Sequence, residues 1–229
     1  MIEIIPLDYA KSVLPESWVL ENGSETKKLP IVFRVYLLKT ENRLILVDAG
    51  CETMPGFDMK DFIGTVKALY NIGISPDEIT DLVITHSHHD HIECAKYFKN
   101  AAVYIQRDEY EAGKGYLAEN SNICTFDEEM QICAGVKAIK IGGHSKGSSI
   151  VEITNGDSIS VIAGDECYMR DCLTKQIPTG MAYDREKSRY FIQKYGKGGY
   201  TVFLCHDNLI IPSIPCGLTR CRGNSIIIL

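Results

Sequence analysis

No stretch of this 229-residue chain approaches the roughly 20 apolar residues that a membrane-spanning helix needs, so no membrane partner is expected. The first residues, Met1-Ile2-Glu3-Ile4-Ile5-Pro6, carry neither a basic leader nor a long apolar core, and no secretory signal is expected there. A basic run is also missing. Lys and Arg number 24 against 30 Asp and Glu, for a net charge of −6 and a pI of about 5.5. Proteins that wrap nucleic acid cluster cations against phosphate, so no nucleic-acid partner is expected. Nor do the cysteines make a disulfide framework. There are nine, an odd number, and they are scattered. That usage fits reduced thiols in a cytoplasmic protein. Cys167 with Cys172, and Cys216 with Cys221, stand close in sequence. Neither spacing is that of a zinc ribbon or finger, and both pairs read as free thiols.

Histidine is scarce too, and its placement is the strongest signal in the chain. Of six histidines, four stand within residues 86–91, in the stretch Thr85-His86-Ser87-His88-His89-Asp90-His91. Leu82 to Thr85 reads as a buried strand that delivers them. Imidazole and carboxylate together are the donors that borderline divalent metals favour. In an extended segment, residues two apart point the same way. His86 and His88 can therefore converge on one ion while His89 points elsewhere, exposed and uninvolved. Asp90 and His91 fall where a helix starts and the direction changes, so they could serve a second ion.

The rest of the chain alternates strands and helices. Ile2–Leu7, Ile31–Leu38 and Leu44–Val47 read as strands, the last two as a hairpin across 40–43. Phe62, Val66, Leu69 and Tyr70 give a helical spacing, and Ser75-Pro76-Asp77-Glu78 is a capping box. A short helix follows His91 to about Phe98, then a strand at Ala102–Ile105 and a helix at Asp108–Ala112. Residues 120–130 carry no clear period. Val136–Ile139 is a strand, and Ser149–Ile153 with Ser158–Ile162 form a hairpin over Asn155-Gly156. Tyr168–Tyr183 reads as irregular, Asp184–Tyr195 as a helix, Tyr200–Leu204 as a strand, and Ile226–Leu229 as a closing edge strand. No linker divides the chain. A single domain over 1–229 is expected, in two halves of about 1–115 and 116–229.

His86-x-His88-x-Asp90-His91 resembles the signature of the metallo-β-lactamase-fold hydrolases. Four further blocks resemble that family in the same order: Leu46-Val47-Asp48-Ala49-Gly50, Gly143-His144-Ser145, Ala163-Gly164-Asp165 and Leu204-Cys205-His206-Asp207. The resemblance implies an α/β fold, a four-layer αββα sandwich of two mixed sheets with helices outside. It implies two divalent ions, zinc first, with iron, manganese or cobalt also compatible. His86, His88 and His144 would hold one ion, Asp90, His91 and His206 the other, and Asp165 would bridge them. Asp48 would orient a ligand. The implied reaction is hydrolysis by a metal-bridging hydroxide, with Asp90 also handling a proton.

Tyr168, three residues after Asp165, resembles the N-acyl homoserine lactonase branch, as does Ile105-Gln106-Arg107-Asp108-Glu109-Tyr110-Glu111. A small-molecule lactone or ester is the implied substrate, with Tyr168 donating a hydrogen bond to it. Ile92-Glu93-Cys94 stands where that branch usually has small residues, and the loop from Cys51 to Asp58 is short. These departures bear on the acyl-homoserine substrate rather than on hydrolysis. A thioesterase of the glyoxalase II type, a phosphodiesterase, a diiron redox protein and a metal sensor remain as alternatives.

Overall fold

The chain opens with β1 (Glu3–Pro15), a strand of 13 residues where the apolar pattern predicts only Ile2–Leu7. Asp8, Lys11 and Ser12 interrupt the pattern. The strand continues because it pairs along its length with β2 (Lys28–Lys39), from Glu3↔Lys39 to Pro15↔Lys28. Helix α1 (Glu16–Val19) joins the two. A tight turn, in which the Thr40 hydroxyl accepts from the Arg43 amide at 2.9 Å, leads into β3 (Leu44–Val47). Helix α2 (Thr65–Asn71) starts after Gly64, three residues later than the apolar spacing predicts. The capping box at Ser75 forms as predicted and starts a single helical turn, Pro76–Glu78.

Next come β4 (Asp81–Ile84), α3 (His89–Ile92) with a further turn at Glu93–Tyr97, β5 (Ala102–Gln106), α4 (Arg107–Gly113) and β6 (Ile123–Phe126). The second sheet holds β7 (Glu129–Cys133), β8 (Val136–Lys140), β9 (Ser149–Asn155), β10 (Ser158–Ile162) and β11 (Tyr200–Phe203). Residues 120–130, without a clear period, thus supply β6 and the start of β7. The stretch 168–183, expected to be irregular, contains α5 (Arg170–Lys175), and α6 (Arg185–Tyr195) follows.

The structure is a computed structural model that describes residues 1–209 together with β12 (Thr219–Arg222) and β13 (Ser225–Ile228). Cys216, one member of the expected Cys216–Cys221 thiol pair, and Leu229 lie outside the described residues. The first sheet runs β12-β13-β1-β2-β3-β4-β5-β6 and the second β11-β10-β9-β8-β7. Both sheets are mixed, with β3 to β6 parallel in the first and β10 parallel to β11 in the second. β13 sits between β12 and β1 rather than at an edge. The chain changes sheets between Phe126 and Glu129, and its last strands return to the first sheet.

Period-two alternation divides the apolar residues between two cores. Tyr36 and Leu38 of β2, Ile45 and Val47 of β3 and Val83 of β4 meet Val151, Ile153, Ile162 and Phe203 of the second sheet. Their alternates, Val35, Leu37, Leu46, Leu82 and Ile84, pack with helical residues such as Leu69, Ile92 and Phe98. Ile150, Val161 and Val202 on the other sheet belong with Leu173, Phe191 and Ile192. Both faces of each sheet are thus covered, giving layers in the order helix, sheet, sheet, helix.

A deeply buried charged side chain crosses between the sheets. Arg34, 1% exposed, forks onto Asp8 at 2.5 and 3.2 Å and donates to the carbonyls of Leu204 and Asp207, each at 3.0 Å. Tyr36 donates to the Leu204 carbonyl as well, at 2.7 Å. Removing one partner of a buried pair typically costs about 3–5 kcal/mol. Asp8 keeps some water contact, with 33% of its side chain exposed. Arg34→Met is therefore expected to lower unfolding stability toward the lower end of that range, about 3 kcal/mol. Urea denaturation followed by circular dichroism checks this, and a loss below ~1 kcal/mol would mean the fork contributes little.

Candidate metal centre

The site forms where strands of both sheets end. β4 ends at Thr85, whose amide and hydroxyl donate to Asp48 at 2.7 and 2.9 Å. Asp48 follows β3 in the left-handed region, at φ 64°. The Thr85 carbonyl accepts from Ser149 at 2.8 Å, which ties β4 to the start of β9 in the other sheet. Beyond Thr85 the backbone stays extended to His88, at φ −66° and ψ 150°, and α3 then begins. Gly164, at φ 52°, turns the chain after β10 so that Asp165 faces the same point. A Cβ there would come within 3.0 Å of Thr85. β11 delivers His206, and the segment after β8 delivers His144.

Two groups of side chains converge. His88 Nδ1 lies 3.1 Å from His86 Nε2 and 2.9 Å from His144 Nε2. Asp165 Oδ2 lies 3.7 and 3.5 Å from the same two Nε2 atoms. Asp165 Oδ1 points the other way, 3.2 Å from His91 Nε2 and 3.0 Å from His206 Nε2. Asp90 Oδ2 completes that second group, 3.5 Å from His91 Nε2 and 3.8 Å from His206 Nε2. The ligand atoms of each group, His86, His88, His144 and Asp165, and Asp90, His91 and His206, lie within 4.8 Å of one another. Tetrahedral donors about 2.0–2.1 Å from zinc sit about 3.3 Å apart, so both groups have the size of a metal's ligand shell.

The buried atoms call for a cation. His91 Nε2 and Asp165 Oδ1 are buried and have no hydrogen-bond partner in the protein. Unpaired buried polar atoms are rare unless another group engages them. Burial alone would raise the Asp165 carboxyl, yet His206 and His91 outweigh it and hold the group well below the usual carboxylate range. Burial would lower His91, but Asp165, Asp90 and Asp48 push it well above the ordinary imidazole. His86 moves the opposite way, lowered by burial and by the charge of His91. Its lone pair is therefore available. Two carboxylates and five imidazoles of this kind fit divalent ions of the zinc type.

The opposite edges of the rings are fixed. His91 Nδ1 donates to Asp48 at 2.7 Å, His144 Nδ1 to the Met181 carbonyl at 2.8 Å, and His206 Nδ1 to the Val32 carbonyl at 2.9 Å. Such bonds select the tautomer that leaves Nε2 free to bind a metal. Two glutamates hold the loops. Glu109 accepts from the Ser87 amide and hydroxyl at 2.8 and 2.7 Å, and from the Ser145 hydroxyl and Gly147 amide at 2.7 and 2.8 Å. It thus clamps the loop of His86 and His88 to the loop of His144. Glu166 accepts from the amides of Gly143 and His144 at 3.0 and 3.3 Å, and burial pushes its carboxyl up to about 7. Gly143 is required there, since a Cβ would fall 2.3 Å from Glu166 Oε2.

Above the groups lies a cavity of about 240 Å3. Its walls are apolar: Leu14, Trp18, Ile31, Phe33, Met54, Phe57 and Met181. Among the described residues, no lysine or arginine lines it. The ring of Tyr168 stands edge-on to His206 and His144, with centroids 5.1 and 5.8 Å away. Burial, with the charges of Asp165 and Asp90, raises its hydroxyl well above an ordinary phenol.

All seven residues read as ligands are brought together, and Asp48 and Tyr168 lie beside them. His89 stands outside both groups. It is half-buried rather than exposed, with Nε2 2.8 Å from the Thr53 carbonyl and Nδ1 3.2 Å from the Tyr116 hydroxyl. Glu109 and Glu166 were not singled out for a role in the sequence. Glu109 falls within the stretch that resembles the lactonase branch, with no role read for it, and Glu166 shows only as an acidic residue beside a motif, which is common on any surface.

A family model described as the metallo-beta-lactamase superfamily matches residues 34–190. An N-acyl homoserine lactonase of Bacillus cereus is 28% identical over 167 residues, which cover 62% of this chain and 67% of the relative. The probable metallo-hydrolase MJ0296 of Methanocaldococcus jannaschii is 28% identical over 167 residues, 72% of each chain. Among solved structures, an N-acyl homoserine lactone hydrolase holding N-hexanoyl-L-homoserine at its metal centre superposes with a TM-score of 0.77 at 24% identity, over 90% of this chain and 93% of its own. The dizinc lactonase AidC superposes with a TM-score of 0.76 at 16% identity, over 100% and 94%. At those identities the two structures bear on the fold alone.

Asp48 bonds both the strand end and the His91 ring, so Asp48→Asn places an amide nitrogen against one of those donors. Loss of such an outer partner typically lowers metal affinity about 10–100-fold. A loss of that size is expected for Asp48→Asn in competition with a fluorescent zinc chelator. Unchanged affinity would leave Asp48 a purely structural strand-end residue.

Proposed function

The chain belongs to the metallo-β-lactamase superfamily, and on that premise we propose that it hydrolyses lactones or other small neutral esters at a site for two divalent ions. The observation that carries the reading is the split of Asp165, with Oδ2 toward His86 and His144 and Oδ1 toward His91 and His206. One carboxylate serving two neighbouring groups is the arrangement a bridging ligand needs. His86, His88 and His144 would hold one ion and Asp90, His91 and His206 the other, with zinc the best match to the donor set. Bound there, two such ions supply a water of lowered pKa, from about 15.7 toward 7, and polarise a carbonyl oxygen.

The protein's own groups supply the rest. Asp90 belongs to the second group and lines the cavity, so its carboxylate can take a proton from the attacking water and return it to the leaving alkoxide. Tyr168 keeps its proton at neutral pH because burial and Asp165 raise it, and its hydroxyl can donate to the oxygen that gains charge. The apolar walls exclude bulk water around that oxygen, which strengthens both interactions. A cavity of about 240 Å3 suits a small molecule. Its lack of lysine and arginine among the described residues disfavours an anionic phosphodiester and favours an uncharged ester.

Metal content and hydrolysis of a γ-lactone series, with a thioester and a phosphodiester as controls, test the reading on one sample. Two ions per chain and selective lactone turnover, abolished by chelation and restored by zinc, are expected. Asp90→Asn is expected to lose at least about 100-fold in kcat. Tyr168→Phe is expected to lose about 10–100-fold in kcat with little change in KM, as for a lost oxyanion donor. Turnover of only the thioester or the phosphodiester would move the substrate class, and one ion per chain would end the dinuclear reading.

A further inference from the structure

The cavity has one wall that is held in place by a side chain with no part in the metal groups. Residues 51–61 form a segment whose Met54 and Phe57 line the cavity, with Phe57 edge-on to Trp18 at 6.3 Å. The far end of the segment is pinned to β1 by backbone bonds. Lys60 and Lys11 exchange amide and carbonyl bonds of 2.8 Å each, and the Ser12 hydroxyl donates to the Asp58 carbonyl at 3.0 Å. The near end is held by side chains of the helix that carries Asp90 and His91. Glu93 accepts from the amides of Glu52 and Thr53 at 2.5 and 3.4 Å. One turn earlier on the same face, His89 Nε2 meets the Thr53 carbonyl at 2.8 Å.

That carbonyl can only accept, so Nε2 carries the proton and Nδ1 accepts from the Tyr116 hydroxyl at 3.2 Å. The ring also packs edge-on to Tyr116, 5.8 Å between centroids. His89 therefore braces residue 53, immediately before Met54, against the helical turn Lys114–Leu117.

We infer that His89 is a positioning residue that sets selectivity for the apolar part of the substrate, by latching the Met54–Phe57 wall over the metal centre. The inference rests on reading the cavity as the ester or lactone site. With the latch intact, an alkyl group on the substrate finds a fixed wall and gains burial energy. With it cut, the segment stays tethered at Lys60 and through Glu93, but Met54 loses its fixed position. A substrate without an alkyl group never touches that wall. The latch thus acts on KM for long substrates and not on the reacting atoms.

The test compares γ-butyrolactone with γ-octalactone, wild type with His89→Ala, His89→Gln and Tyr116→Phe. In His89→Ala the ratio of kcat/KM for the longer over the shorter lactone is expected to fall about tenfold, through KM, the scale of one or two methylene contacts. His89→Gln, whose amide can still donate to the Thr53 carbonyl, is expected to recover most of it. Tyr116→Phe, at a partly exposed side chain, is expected to lose about threefold, consistent with removing one of two braces. An equal fall for both lactones, or a fall in kcat alone, overturns the latch.

A second readout does not depend on catalysis. Trp18 is the sole tryptophan and lies on the cavity wall beside Phe57. Titrating its emission with n-octanamide is expected to show binding about tenfold weaker in His89→Ala and near normal in His89→Gln, on the same contact scale. Unchanged octanamide affinity overturns the latch even if no lactone is hydrolysed. Altered affinity without lactone turnover keeps the latch and removes the ester reading.

Discussion

A single buried carboxylate is the constraint around which this molecule is built. Asp165 lies between five imidazoles, with one oxygen turned to each of two groups. A carboxylate removed from water is costly unless it is paired and hydrogen-bonded. Here the compensation comes from histidines carried by other strands, so no local piece of chain can provide it. Both sheets must be present and in register before the charge is tolerable. The parallel strands β3 and β4 bring Asp48 beside Thr85, and β10 beside β11 brings Asp165 beside His206. The bond from Ser149 to the Thr85 carbonyl then holds the two sheet ends together.

The surrounding charged residues follow from that constraint. Each spans two segments that must not drift apart. Arg34 fixes the carbonyls on either side of His206. Glu109 joins the loops that carry the first group, and Glu166 holds the backbone of His144 from the residue next to Asp165. Tyr9 donates to the Asp90 carbonyl at 2.8 Å, so even the backbone of the second group is tied to β1. A polar network of this kind is worth its desolvation only when nearly every member is satisfied. Two unsatisfied atoms of the network, His91 Nε2 and Asp165 Oδ1, face each other across the point where a cation fits.

How much of this was legible depended on whether the signal was local. The cluster from His86 to His91 declares itself because four imidazoles in six positions have no common structural use. The distant members of the two groups, His144, Asp165 and His206, were legible only through the family's motif order, since each alone reads as a loop or rim residue. β1 was half-visible: the run Ile2–Leu7 is mostly apolar, and the rest is a strand because β2 lies beside it. Helix α5 was missed, as Arg170–Lys175 is short and its burial rests on Cys172 and Leu173 alone. Arg34, Glu109 and Glu166 carry no local sign of burial, because the partners that make burial tolerable lie 18 to 173 residues away. His89 looked dispensable for a sound reason, its direction in an extended segment. What that reasoning could not include was the segment that folds over it.

That segment explains how one short helix can serve two purposes. α3 spans only four residues, and its start turns successive side chains about a third of a turn apart. Asp90 and His91 face the metal groups, while His89 and, one turn on, Glu93 face residues 52 and 53. The same turn that ends the extended run of ligands therefore fixes the nearest wall of the cavity. Coupling the two removes freedom that a separate loop would have, since the wall is tied to the helix that carries Asp90 and His91. It also confines adaptation: changes in the apolar pocket are best tolerated at Met54 and Phe57, whose partly buried side chains line the cavity. At His89 and Glu93 the same changes would free residues 52 and 53, and with them the position of that wall. An apolar cavity, lined by no lysine or arginine among the described residues and floored by the histidine and aspartate groups, suits substrates told apart by shape and length rather than by charge.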